Sequence, residues 1–522
     1  MKKALSLAVL TLASSALIAQ SEVTRELKTE WHHQSQPNGS IGVSTDEALE
    51  ALANREPEEI VIAIIDSGID TTHADLRSQL WVNQDEIPGN GMDDDGNGYV
   101  DDMHGWNFIG GPDGNIEGET MELTRMYMDY NTRWDGLDED SIQDSNPAEY
   151  KFFITLMQDF NQQQRENRLE EMFLNRYRRE YDNNRSKVED LLGPDFTDEQ
   201  LDSLANSRHK SSSAARMVQE LHEEGIDKKF FEEYGAQLYS YNNYYLNPAW
   251  DVRDSIVGDD PNDWNDSIYG NNDLMGQSSD HGTHVAGIVG AIRDNEIGID
   301  GITPRVKLMV LRVVPDGDER DKDVGLAIRY AVRNGASIIN MSFGKDYSPD
   351  ADKVQEIIQW AGERDVLLVH AAGNDSRDLD FDSGDNFPRM PFETNNLENE
   401  AWIEVGASTL YADELAADFS NYGEYSVDLF APGEDIYSTL PVNTYGFNSG
   451  TSMAAPVVTG VAGLIRSYYP QLTAQQVKHV LVESAVPSES RAFEGKSITN
   501  AVVNAYEAVK YIEEHKAELG LN

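Results

Sequence analysis

The chain predicts an α/β fold built on a mostly parallel central sheet with helices on both faces, and three observations carry that prediction. The run Ile60-Val61-Ile62-Ala63-Ile64-Ile65 has the unbroken, β-branched character of a strand buried on both sides. Similar runs alternate with stretches of helical period through most of the second half of the chain. Two segments dense in Gly and Ala, HGTHVAGIVGAI from His281 and SGTSMAAPVVTGVAG from Ser449, suit helices that pack closely on a sheet.

Taken in order, residues 1–19 read as a signal peptide. Lys2 and Lys3 precede the apolar stretch Ala4–Ala19, which is short for a bilayer span, and cleavage would leave Gln20 first. Residues 20–58 form an N-terminal extension with no clear prodomain and a short helix near Ala48–Asn54. Residues 59–109 are the first part of the α/β domain. Residues 110–271 are a mainly helical insertion, in which Tyr150, Phe153, Ile154, Met157 and Phe160 recur at helical spacing. Further helices are expected at 198–205, 214–224 and 228–239. Tyr239, Tyr241, Tyr244, Tyr245 and Trp250 read as core or domain-contact aromatics before a surface for substrate.

Residues 272–522 complete the α/β domain. They carry a helix from His281, strands at Val306–Val314, Ser337–Met341, Val366 onward, Trp402–Ala407 and Val427–Phe430, and helices at Val324–Asn334 and Asp350–Glu363. A helix follows Ser452, another is capped by Thr473, and a last one runs near Ala501–Lys516.

Charge narrows the partners. With 41 Lys+Arg against 93 Asp+Glu, a net of −52, the chain is an acidic protein for which nucleic acid and anionic membrane surfaces are poor partners. It has no Cys, hence no disulfide and no cysteine lipid anchor. No stretch after the leader is apolar enough to cross a membrane.

Three patches divide one piece of chemistry between them: Asp66 at the end of the first strand, His281 at the start of one helix and Ser452 at the start of another. A serine hydroxyl attacks only when an imidazole takes its proton, and a carboxylate must hold that imidazole in one tautomer. A helix N-terminus at Ser452 favours negative charge developing nearby, and Gly450 leaves room for a substrate backbone. Asn374, after the strand and glycine turn VLLVHAAGN, can donate from its amide to an oxyanion. Each residue has a plainer use: Asp66 capping a turn, Ser452 capping a helix, Asn374 filling a left-handed turn. His281 and His284 share a helical face and could pair on a metal, but no H-E-x-x-H pattern accompanies them, so His284 reads as a buried structural histidine.

The motifs DSGID, HGTHVAG, AAGN and GTSMAAP together resemble the subtilisin-like serine peptidases (subtilases). The resemblance runs from Ile60 to about Phe108 and from His281 to about Ile512. It implies the subtilisin-like fold and a serine-type endopeptidase working on protein or peptide substrates through an acyl-enzyme. Asp66, His281, Ser452 and Asn374 would then be the orienting, base, nucleophile and oxyanion residues. It also implies that Ser342, Phe343 and Gly344 pair with extended substrate and line its primary pocket, and that Ala371, Ala372 and Gly373 form another wall. Lys345 stands where many relatives have a second Gly. The alternative is an inactive subtilase-fold binding protein that acts through its insertion; filled catalytic positions favour the enzyme.

An acidic loop points to calcium. In DDDGNGYVDD, side-chain oxygens recur at Asp93, Asp95, Asn97 and Asp101, with a carbonyl at Tyr99, following the first positions of an EF-hand-like loop. His104 stands where that loop would place its bidentate Glu, so other carboxylates must close the site. By resemblance alone, Asp75 and a loop residue, Asn295 or its neighbour Asp294, belong to a second calcium site. The leader implies secretion to the extracellular space or periplasm, without a membrane anchor.

Overall fold

The computed structural model describes residues 29–34, 41–381, 386–390, 401–411, 416–488 and 493–521. The expected signal peptide lies outside them. The described residues form two compact units, a helical one at Leu123–Asp251 and an α/β one that combines those before Leu123 with those from Val252 onward.

The α/β unit is organised by a nine-stranded sheet. In chain order its strands are β1 (Ile60–Asp66), β2 (Gly105–Asn107), β3 (Val306–Arg312), β4 (Ile338–Met341), β5 (Leu367–Ala371), β6 (Trp402–Ser408), β7 (Leu429–Pro432), β8 (Val486–Pro487) and β9 (Ala501–Val502). Across the sheet they lie in the order β8-β9-β7-β6-β5-β4-β1-β3-β2, and every pairing is parallel except β8 with β9. Parallel strands buried on both faces explain why the sequence reads as solid apolar runs rather than as alternation.

The two faces are distinguishable in β1. Ile60, Ile62 and Ile64 join a core with Val285 and Ile288 of the Asp280–Gly290 helix and Val457 and Val461 of the Thr451–Tyr468 helix. Ala63 and Ile65 join the opposite core, with Val324 and Ile328 of the Asp321–Arg333 helix and Ile357 of the Ala351–Gly362 helix. Side chains alternate along a strand, so Asp66 shares the face of Ile64 and is turned toward the helices that begin near His281 and Ser452.

Several details differ from the sequence reading. The last helix is Ala505–Glu514 rather than 501–516: Val502 pairs with Phe430 in the sheet, and Asn504 caps the helix by accepting from the Glu507 amide at 3.0 Å. A hairpin, Ile436–Leu440 with Thr444–Asn448, and the short strand β2 were not foreseen. Residues 110–122 and 252–271, read as part of the insertion, lie in the α/β unit. In the N-terminal extension, Trp31 is fully buried in the core beside Val43, Ala48 and Leu52, and its indole donates to the carbonyl of Asp435 at 3.2 Å.

The helical unit is built on one 46-residue helix, Pro147–Leu192, with Pro147 in its first turn and Asn146 as its cap. Helices Asp198–Ala205, Ser212–Glu223 and Lys228–Ser240 bury Leu201, Val218, Phe231 and Leu238 against Leu174, Tyr181 and Val188 of the long helix. Tyr241–Tyr245 is a wider helical turn in which no residue is fully buried. The rings of Tyr244 and Trp250 meet at 4.6 Å, and Tyr239 is exposed.

Candidate active site

Asp66 lies at the C-terminal end of β1, where ligands of parallel sheets gather. Its Oδ1 accepts from His281 Nδ1 at 2.7 Å and from the Ser67 amide at 2.7 Å. The carboxylate is buried, whereas the imidazole is about one-third exposed (side-chain accessibilities 1% and 36%). A hydrogen bond to a carboxylate fixes the proton on Nδ1 and leaves Nε2 as an acceptor on the open side. Gly282 makes this approach possible, since a Cβ there would sit 2.2 Å from the Gly68 carbonyl. Burial disfavours the imidazolium, but the Asp66 charge and hydrogen bond, with Asp280 nearby, outweigh it, so His281 titrates above the ordinary histidine value.

Ser452 occupies the first turn of the Thr451–Tyr468 helix, which packs on the Asp280–Gly290 helix. Its Oγ donates to the carbonyl of Ser342 at 3.0 Å, and no hydrogen bond joins it to His281 in this structure. The expected hydrogen-bonded row is therefore formed at its Asp66–His281 end only. Ser342 follows β4, whose Met341 pairs with Ile65, so the Ser342 carbonyl and Asp66 lie at the same edge of adjacent strands. The Ser342 hydroxyl donates to the Ser452 carbonyl and accepts from Asn340, which in turn accepts from Thr459. These bonds set the Ser452 helix at the height of the strand ends.

Asn374 has a fixed orientation. Its Oδ1 accepts from the Thr451 amide at 2.8 Å and from the Thr451 hydroxyl at 3.1 Å, while that hydroxyl accepts from the Gly373 amide. With the carbonyl oxygen so engaged, Nδ2 makes no hydrogen bond among the described residues, and the amide lies beside the start of the Ser452 helix: a Cβ on Gly450 would lie 3.5 Å from Nδ2 and 3.6 Å from Oδ1. Buried Asn421, which the sequence reading did not single out, holds the same loop by accepting from Asp375 and Arg377 amides and donating to the Ala372 carbonyl.

The proposed pocket walls, Ser342–Gly344 and Ala371–Gly373, are bridged by another residue absent from the sequence reading. Asn386 donates to the Ala371 carbonyl at 2.8 Å, and its Oδ1 lies 2.1 Å from where a Gly344 Cβ would be. Lys345 turns away from these walls: its buried ammonium lies 2.9 Å from Glu122, 2.8 Å from Asp321 and 2.7 Å from the Glu319 carbonyl. His284 is structural, as expected. It is buried and donates to the Ile436 and Gly446 carbonyls of the hairpin, and burial lowers its pKa to about 4.

The acidic loop is arranged differently from its sequence reading. Asp93 accepts from the amides of Gly96, Asn97 and Gly98, and Asp101 from those of Asn90 and Gly91; both serve the loop backbone. The Tyr99 ring packs into the core beside Trp106 and Tyr330. Asp95 instead meets Glu86 and Asp102, with one carboxylate oxygen from each within 4.8 Å of the others. Asn97 donates to both Asp95 and Asp102. Glu86 Oε2 is buried without a hydrogen-bond partner, which leaves a hard acceptor beside two further carboxylates. That donor set fits a hard cation such as calcium. Asp75 and Asn295 are brought together, as the resemblance implied, but as a 2.6 Å hydrogen bond. The other Asp75 oxygen accepts from the Ile299 amide and the Tyr445 hydroxyl, so this carboxylate is satisfied by neutral donors.

Comparisons with known proteins identify the family. The Subtilase family model matches residues 58–507. The thermophilic serine proteinase of Bacillus sp. (strain AK1) is 32% identical over 302 residues, covering 53% of this chain and 68% of that protein. Subtilisin DY of Bacillus licheniformis is 35% identical over 221 residues (42% of this chain, 75% of that protein), and thermitase of Thermoactinomyces vulgaris is 33% identical over 232 residues (44% and 75%). The chain belongs to the subtilase family of subtilisin-like serine peptidases.

Proposed function

We propose that this protein is a secreted serine endopeptidase that cleaves peptide bonds through Asp66, His281 and Ser452, with Asn374 as oxyanion donor. The observation that carries the reading is the buried Asp66 carboxylate on Nδ1 of the partly exposed His281 ring at 2.7 Å. The reaction requires Ser452 Oγ to leave the Ser342 carbonyl for His281 Nε2, and such contacts commonly tighten only with substrate bound. Oγ then attacks the scissile carbonyl while Nε2 takes its proton. Asn374 Nδ2 and the Ser452 amide stabilise the oxyanion, Nε2 returns the proton to the leaving amine, and water hydrolyses the acyl-enzyme by the same route. The direct test is incubation of the purified protein with a fluorophosphonate, followed by peptide mapping. Label on Ser452 supports the reading; no label in correctly folded protein sinks it and favours a binding role.

Removal of the amide in Asn374→Ala is expected to lower kcat by about 10²–10³-fold with little change in KM, because the donor acts on charge present only in the transition state. Since His281 must be neutral to act as base, kcat/KM falls as pH drops through its pKa. That value is raised, so the acid limb is expected above the ordinary histidine midpoint of about 6.5 in a pH–rate profile. A limb below it would contradict the Asp66 pairing.

The calcium reading moves to Glu86, Asp95 and Asp102. Bound there, the ion would neutralise three converging carboxylates and tie the loop to Tyr330, which donates to Asp102. Chelator is expected to lower the melting temperature by several degrees, and Glu86→Gln to abolish that difference. An unchanged transition in excess chelator would remove calcium from the account. The N-terminal pattern supports secretion, tested by N-terminal sequencing of protein recovered outside the cytoplasm. Among the described residues no helix is long and apolar enough to cross a membrane.

A further inference from the structure

His370 and Glu404 form a buried pair beneath the proposed substrate groove, on the sheet face opposite the Asp66 side chain. Along β5, Leu367, Val369 and Ala371 belong to the core shared with the His281 and Ser452 helices, so His370 points to the other side, where Leu368 and Trp402 lie. Its Nδ1 is 2.9 and 3.1 Å from the two Glu404 oxygens, and its Nε2 is 2.8 Å from the carbonyl oxygen of Phe343. Glu404 is the register partner of His370 on β6. It is fixed further by the Trp402 indole at 3.1 Å and, through its own amide, by Asp428, which is ion-paired to Lys478. Two adjacent strands thus aim one N–H at one backbone carbonyl.

The consequence lies on the other side of that peptide. A trans peptide is planar, with its C=O and N–H pointing in opposite directions. Drawing the Phe343 oxygen into the protein interior turns the Gly344 N–H outward. Gly344 is exposed, and among the described residues its amide makes no hydrogen bond, while the next residue, Lys345, pairs with Phe387 through both its N–H and its C=O. We propose that His370, held by Glu404, is a positioning residue that locks the Phe343–Gly344 peptide so that the Gly344 N–H is presented to the backbone of an extended substrate. The inference rests on the endopeptidase reading and adds to it a residue on the far face of the sheet, which the catalytic motifs do not include.

The test compares two double variants in the full-length protein. His370→Ala/Glu404→Gln removes the donor without stranding a buried charge, whereas His370→Gln/Glu404→Gln keeps an amide N–H within reach of the Phe343 carbonyl. Each is assayed on a tetrapeptide anilide, which needs the extended pairing, and on a single-residue acyl ester, which does not. The alanine variant is expected to raise KM for the tetrapeptide about 5- to 10-fold, the worth of one oriented hydrogen bond. The ester constants stay within about 2-fold of wild type, and the glutamine variant recovers most of the loss. Equal losses on both substrates, or no difference between the two variants, would overturn the proposal. A wild-type protein that neither cleaves the tetrapeptide nor takes the fluorophosphonate would fail the endopeptidase reading itself, a distinguishable result.

Discussion

Ser452→Ala is expected to lower kcat on a peptide substrate by about 10⁶-fold while KM and melting temperature stay near wild type. The stability side follows from the surroundings: the hydroxyl makes one hydrogen bond, to the Ser342 carbonyl, and deleting it costs about 1 kcal/mol. The backbone of Ser452 still accepts from Ser342, so the helix start is retained. The catalytic side follows from the division of labour, because neither His281 nor Asn374 can form an acyl intermediate alone. For that reason His281→Ala added to Ser452→Ala should cost little more, since the two act as one unit. Steady-state kinetics of the single and double variants check both statements. A Ser452→Ala protein within 100-fold of wild type would assign the nucleophile elsewhere.

Asp66→Asn is expected to cost about 10⁴-fold in kcat with the fold intact. The carboxylate can only accept, so it keeps the proton on His281 Nδ1. An amide nitrogen turned to Nδ1 reverses this, places the proton on Nε2 and leaves Ser452 without a base. The Ser67 amide bonds the same oxygen, Oδ1, so an amide nitrogen turned to Nδ1 gives up that bond as well. Loss of the negative charge also removes what raises the His281 pKa, so the acid limb of the residual activity should move to lower pH. Measuring kcat across pH for wild type and variant tests the two effects together. An unshifted limb would mean that Asp66 does not set the histidine's charge state.

The parts legible in sequence share one property: their signal is local. The β-branched run of β1, the capping box of Thr473 with Gln476, and the Gly-rich starts of the His281 and Ser452 helices each lie within a few residues. The parts not read from the sequence depend on how the chain folds back on itself or brings distant segments together. The alternating oxygens of 93–101 predict a cation loop, yet Asp93 and Asp101 are used by nearby amides, and Glu86 and Asp102 join Asp95 only after the loop folds back through Asn83, which donates to both Asp95 and Asp102. Asn386 has no motif of its own; it matters because it crosses between two walls from different strands. Fixing the end of the helical insertion at Asp251 likewise required tertiary contacts. Arg253 is buried between Asp259 and Asp323, an anchorage in the α/β unit that no periodicity reveals.

By itself, the sequence determined the strand–helix alternation, the family and the candidates for the reacting groups, because each is encoded in consecutive residues whose backbone preferences and side-chain chemistry are intrinsic. Only the tertiary structure decided which face of β1 carries Asp66 to His281, that Ser452 rests on the Ser342 carbonyl, which carboxylates converge on one point, and that His370 grips the Phe343 peptide from below. Apart from the carboxylates, which meet within one folded loop, those are contacts between segments tens to hundreds of residues apart, and they depend on sheet order and register, which no local pattern sets.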